Sequence, residues 1–219
     1  MAQEKKVEAA ENIAAEAEQT ATEREGVITL NTPYLFEGKE YSEIDMGRLK
    51  ELTIQDAVDA QRELFNEQEV AASLLCETTT AFARKLAVRA TGLPVEFFKL
   101  APRRVSRRVT GTVMAFIRAD DGMTINHVMK LNQPYQFKGK TYTEVDLNGI
   151  ADLNSLHESE AENRIVRAGF MVTDTAFNYL FACELASMAT GLPEEFFTGL
   201  PLDEVLKVKN AVNDAGFFE

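Results

Sequence analysis

The sequence predicts an α+β chain: two tandem copies of a small β-hairpin plus three-helix unit, preceded by an acidic Ala/Glu-rich tail. Three observations predict it. The chain repeats itself at a separation near 100 residues, each repeat opens on an alternating apolar pattern broken at a glycine, and each continues with apolar residues at helical spacing. Residues 27–53 match residues 128–154 at 12 of 27 positions, including Pro33/Pro134, Tyr34/Tyr135, Phe36/Phe137, Gly38/Gly139 and Asp45/Asp146. Further on, ATGLPVEFF from Ala90 matches ATGLPEEFF from Ala189 at 8 of 9 positions. The first block is offset by 101 and the second by 99, so the second copy is two residues shorter between them. A solenoid repeat runs to only ~20–50 residues, so each copy is read as a small domain. The expected division is a mobile or helical acidic tail over 1–26, a first unit over 27–120 and a second over 121–219. The two units join near Ala119-Asp120-Asp121-Gly122.

Each unit opens with a hairpin. Leu30, Thr32, Tyr34 and Phe36 alternate, Glu37-Gly38 turns the chain, and Tyr41 to Met46 returns. The second copy uses Leu131, Gln133, Tyr135 and Phe137, then Lys138-Gly139, then Tyr142 to Leu147. Glycine supplies the positive φ that a tight hairpin needs, and Pro33 and Pro134 place their strands at an edge by removing a donor. Such a hairpin is marginal alone, so it must pack on helices.

The first helix of each unit is predicted from a capping box, Thr53 with Asp56 and, in the second copy, Ser155 with Glu158. Ile54, Ala57, Val58, Gln61 and Phe65 then form a helical stripe in which Gln61 is the one polar member. A second helix carries Phe82 and Leu86, and its counterpart Phe177, Phe181, Leu185 and Met188. Gly92 and Gly191 suit the left-handed stop after these helices. Pro94 and Pro193 suit the first turn of the next, and Pro102 and Pro201 restart the chain before valine-striped last helices.

Charge narrows the function. Lys+Arg total 23 and Asp+Glu 35, a formal net charge of −12. That balance argues against nucleic acid as a partner, because phosphate neutralisation wants a basic surface. Residues 1–26 alone hold seven Glu against two Lys and one Arg. One segment reverses the sign. Arg103, Arg104, Arg107 and Arg108 form a basic helical face opposite Val105, Val109 and Val113, where the second copy has Leu202, Asp203, Leu206 and Lys207. Such polarity guides complementary association.

Catalytic and metal constellations are thin. His127 and His157 have no counterparts in the other copy and no ligand-spaced neighbours. Gly38-Lys39 and Gly139-Lys140 fail the phosphate-loop pattern, and the recurring Glu43/Asp45 and Glu144/Asp146 read as solvated strand ends or caps. Cys76 and Cys183 do not align and read as small core residues. No cofactor, no metal and no enzymatic activity are expected. No signal-peptide core and no bilayer-spanning stretch are read, so a soluble, intracellular protein is expected. Phe97-Phe98 and Phe196-Phe197 recur at a helix start, as junction core or as a partner-binding ridge.

The order Pro-x-x-Phe-x-Gly-Lys-x-Tyr-x-Glu-[Ile/Val]-Asp, then Ala-Thr-Gly-Leu-Pro, then Pro before a Val-rich helix, resembles the tail assembly chaperones of Mu-like tailed phages. The second copy carries the pattern more fully, from Pro134 through Asp203 to Phe217-Phe218; the first has Arg104 where the second has Asp203. The resemblance implies a non-enzymatic protein of the host cytoplasm, not expected in the mature virion. It would bind the tape-measure protein, with the tail-tube protein a further candidate partner and self-association open. No membrane partner is implied. The candidate contact residues are Arg103, Arg104, Arg107, Arg108, Phe97, Phe98, Phe196 and Phe197. The competing expectation is a structural part of the phage tail or baseplate; an acidic mimic of nucleic acid and an enzyme rank below it.

Overall fold

The structure is a computed structural model that describes residues 26–67, 75–118, 126–170 and 175–217. Residues 1–25 of the expected tail over 1–26, the junction at 119–122 and Phe218 lie outside the described residues. The fold is α+β, with two two-stranded antiparallel sheets, each followed by helices. The first set comprises β1 (Val27–Phe36), β2 (Lys39–Asp45), α1 (Ile54–Asn66), α2 (Thr80–Thr91), the one-turn α3 (Val95–Lys99) and α4 (Arg103–Ile117). The second repeats it as β3 (Val128–Phe137), β4 (Lys140–Asp146), α5 (Ser155–Arg167), α6 (Tyr179–Thr190), α7 (Glu194–Thr198) and α8 (Val205–Val212). Each unit therefore has three longer helices and one extra turn, which carries the Phe pair.

The two hairpins share one register. Tyr34 faces Tyr41 and Tyr135 faces Tyr142, and both ladders shift ahead of the tyrosine, in the stretch that holds Pro33 or Pro134. An irregularity is where a residue without an N–H costs no ladder bond. At the turns Glu37 and Gly38 have φ of 49° and 78°, and Lys138 and Gly139 have 47° and 80°. Two consecutive positive φ values fit the type I′ turn, whose twist matches that of the strands.

Helix boundaries follow local chemistry. Thr53 and Asp56 form the predicted box. In the second unit the box is one residue earlier than the sequence suggested, Asn154 with His157, because the His157 Nδ1 accepts the Asn154 amide at 3.1 Å. Pro94, Pro102, Pro193 and Pro201 sit at N-caps rather than inside the first turn. Phe177 belongs to the short 3₁₀ turn before α6 and not to the helix itself. Gly92 and Gly191 end α2 and α6 in the left-handed conformation, as expected.

One glycine is required by packing. A Cβ on Gly149 would lie 2.2 Å from the Ala189 carbonyl oxygen, on the backbone that ends α6. Gly149→Ala is expected to cost about 1–3 kcal/mol by overpacking. Urea denaturation checks it: the midpoint falls while the slope stays constant.

A single apolar cluster runs through both units, from Ile28 to Val212. The units meet through α1, whose buried face is Ile54, Ala57, Val58, Ala60, Gln61 and Leu64. That face packs on α6, on α7 and on the 3₁₀ turn Leu202–Glu204. Backbone bonds fix the approach: Ile54 donates to the Leu200 carbonyl and Leu202 donates to the Leu52 carbonyl, both at 2.9 Å. Gln61, the odd polar member of the stripe, donates to the Phe177 carbonyl at 2.8 Å and accepts the Tyr179 amide at 3.1 Å.

Candidate partner-binding surface

The aromatic pairs sit in matched cages. Phe97 is fully buried, with Tyr34, Phe36 and Tyr41 at ring-centroid distances of 4.9, 5.3 and 4.8 Å. Phe196 is held the same way by Tyr135, Phe137 and Tyr142 at 5.3, 5.3 and 4.7 Å. The Tyr34 hydroxyl donates to the Phe97 carbonyl, tying hairpin to helix. Tilted and edge-on geometry suits the ring quadrupoles. Phe98 and Phe197 are buried too, at 6% and 0% exposure. The four rings are therefore interior anchors of hairpin on helix. The expectation of a partner-binding ridge is corrected for Phe97, Phe98, Phe196 and Phe197, because all four are buried; Phe98 reaches only the wall of a surface pocket beside Thr80 and Ser106.

The basic face of α4 is on the surface. Val105, Val109, Val113 and Ile117 turn into the core, and Arg103, Arg104, Arg107 and Arg108 are exposed on the other side. Arg108 has a structural duty: its guanidinium donates to the Thr29 carbonyl in β1. Lys207 does the equivalent in the second unit, donating to the Lys130 carbonyl at 2.7 Å. Position 108 thus ties the last helix to the hairpin in both copies, leaving Arg103, Arg104 and Arg107 as the basic group turned outward. An open groove of about 550 Å³ beside them is lined by Thr80, Arg103, Ser106, Arg107, Thr110 and Gly111.

Other titratable groups serve the fold. Glu77 lies between the units, where the Lys209 ammonium donates to Oε1 and the Tyr179 hydroxyl donates to Oε2 at 2.9 Å. Burial alone would raise the Glu77 carboxyl. The Lys209 hydrogen bond and charge, with the Tyr179 hydroxyl, outweigh it and hold the carboxyl below its ordinary value. Burial pushes the Cys76 and Cys183 thiols well up, further helped by Glu77 and by Glu194 respectively, so neither is a thiolate at neutral pH. The Asn148 amide and side chain donate to the exposed Asp146 and lower it; Asp45 accepts the Gly47 amide at 2.8 Å. His127 stacks on Phe217 at 3.9 Å.

Ion pairs mark the two units as variants of one plan. Lys85 lies 3.0 Å from Glu63, joining α2 to α1. The equivalent positions are Glu184 and Arg164, which pair at 2.8 Å with the charges exchanged. The sequence reading missed this exchange, although aligning the copies puts both pairs side by side.

The first of these units, a cross-turn hairpin caging a helix-borne phenylalanine and a valine-backed last helix, coincides with a described family. Residues 27–118 match the family model described as phage tail assembly chaperone proteins, E, or 41 or 14. Over those residues the first unit is similar to the phage tail assembly chaperone family. The motif residues alone had favoured the second copy as the fuller match; the family match falls on the first, which carries the arginines. No curated protein and no solved structure matches the chain. Among the described residues no helix is long and apolar enough to cross a membrane, and no group of three or more His, Cys, Asp or Glu side chains is placed to hold a metal ion.

Proposed function

We propose that this chain is a tail assembly chaperone that binds the tape-measure protein and keeps it soluble during tail morphogenesis in the host cytoplasm. The observation that carries the reading is the family match over 27–118, in the unit whose last helix presents Arg103, Arg104 and Arg107. A long helical client exposes apolar stripes flanked by charge, which a helix-in-groove mode can cover. The exposed arginines of α4 select acidic flanks and fix orientation.

Two measurements test it. Co-purification from cells that make both chains is expected to recover the tape-measure protein with this one. Changing Arg103, Arg104 and Arg107 to Glu is expected to weaken that complex about tenfold or more at low salt, with the difference shrinking as salt rises. Equal affinity for both proteins at every ionic strength would remove the arginines from the interface. Abundant peptides of this chain in purified virions would instead favour a structural part of the tail.

A further inference from the structure

The contact between the two units is heterologous: α1 of the first sits on a seat in the second, and the two faces differ. Because the units repeat, the second unit carries the counterpart of the α1 face and the first unit the counterpart of the seat. The counterpart of the α1 face is on α5. Ile54, Ala57, Val58 and Gln61 become Ser155, Glu158, Ser159 and Glu162 at the repeat offset of 101, so four of the six positions are polar and two of them are carboxylates, while Ala60 and Leu64 stay apolar and buried as Ala161 and Ile165. The counterpart of the seat is on the first unit. In the second unit Tyr179 bonds Gln61, Leu202 bonds Leu52, Lys209 bonds Glu77 and Leu206 is buried one turn beyond Leu202. At the offset of 99, Tyr179, Leu202, Leu206 and Lys209 become Thr80, Arg103, Arg107 and Thr110, which line the open groove beside α4.

Both changes are coordinated. Leu202 and Leu206 are buried in the second unit, and Arg103 and Arg107 are exposed in the first. An apolar helix on an apolar seat has become an acidic helix and a basic seat. Two faces made polar only to end the array would need no opposite sign. The backbone groups that fix the internal contact also have counterparts: the Leu153 carbonyl stands for that of Leu52, and the Arg103 amide for that of Leu202.

We propose that copies of this chain associate head to tail, the Glu158/Glu162 face of α5 in one copy resting on the Arg103/Arg107 seat of the next. The contact repeats the internal one with charge in place of apolar burial. A heterologous contact of this kind builds open chains, or rings where the rotation closes. It is reversible and salt-sensitive, because Arg103, Arg107 and Glu158 are exposed. The inference does not rest on the client, and its test contains none.

Sedimentation velocity of the full chain over a range of concentrations tests it, at ~50 mM and ~500 mM salt. Species larger than the monomer are expected at low salt, with association weakened about tenfold or more at high salt. Arg103→Glu with Arg107→Glu is expected to give a monomer, and so is Glu158→Arg with Glu162→Arg. Arg103, Arg107 and Glu158 are exposed and Glu162 is half-buried, so circular dichroism is used to confirm that each variant folds. Mixing the two variants restores complementary faces and is expected to restore assembly. A wild-type monomer at low salt overturns the proposal, as does association that survives both charge reversals. Assembly that appears only when the acidic residues 1–25 are removed also overturns it, by giving the seat to that segment.

Discussion

Glu77→Ala is expected to destabilise the chain by about 3–5 kcal/mol at neutral pH, as breaking a buried ion pair from one side does. The reason is what remains. Lys209 and Tyr179 are 6% and 1% exposed, and both spend their polar atoms on the Glu77 carboxylate. With the carboxylate gone, a buried ammonium and a buried hydroxyl lose their acceptor across the interface between units. Glu77→Leu with Lys209→Met removes both charges and is expected to recover most of the loss, though not all, because Tyr179 still lacks a partner. Acid gives an independent reading. The folded-state value of Glu77 is held below its unfolded one, so its contribution is fully present above pH ~4.3 and is lost as pH falls through the folded value. The gap between wild type and Glu77→Ala is therefore expected to narrow on acidification. Urea titrations at pH 7 and near pH 3.5 measure it, and a gap that widens in acid would contradict the assignment.

Phe97→Ala and Phe196→Ala are each expected to cost about 3–5 kcal/mol. Each deletes the ring that three hairpin aromatics surround, and the strands are too tightly tied to collapse on the space. The two losses should be similar, because the cages are superposable in composition. The measurement is the urea midpoint of each variant, with amide exchange of β1–β2 and β3–β4 to locate the damage. Unchanged stability would return these rings to the surface and reopen their reading as a ridge.

Much of this architecture was legible before any coordinates. The hairpins were, because a glycine turn between alternating aromatics has few other solutions. The valine stripes and the glycine stops were, because they are local. The aromatic pairs were misread in their second sense because a ring's burial depends on a hairpin sixty residues away. The seat was not legible from one copy. Its signals were Gln61, a polar residue in an apolar stripe, and the substitution of Leu202 and Leu206 by Arg103 and Arg107 between copies. A single unit reads as a complete small domain; only the difference between the copies shows which face each turns to the other. Arg108 shows the converse: it reads as one of four surface arginines, yet its counterpart Lys207 holds the same strand carbonyl in the second unit.

The central claim is that this chain keeps a long helical client in solution. Co-expression of the tape-measure protein with and without it, followed by measurement of the client's soluble fraction, tests that claim most directly. The client is expected to be largely insoluble alone and largely soluble in the presence of this chain, with the Arg103, Arg104 and Arg107 charge reversal falling between. A client equally soluble in both cultures would contradict it.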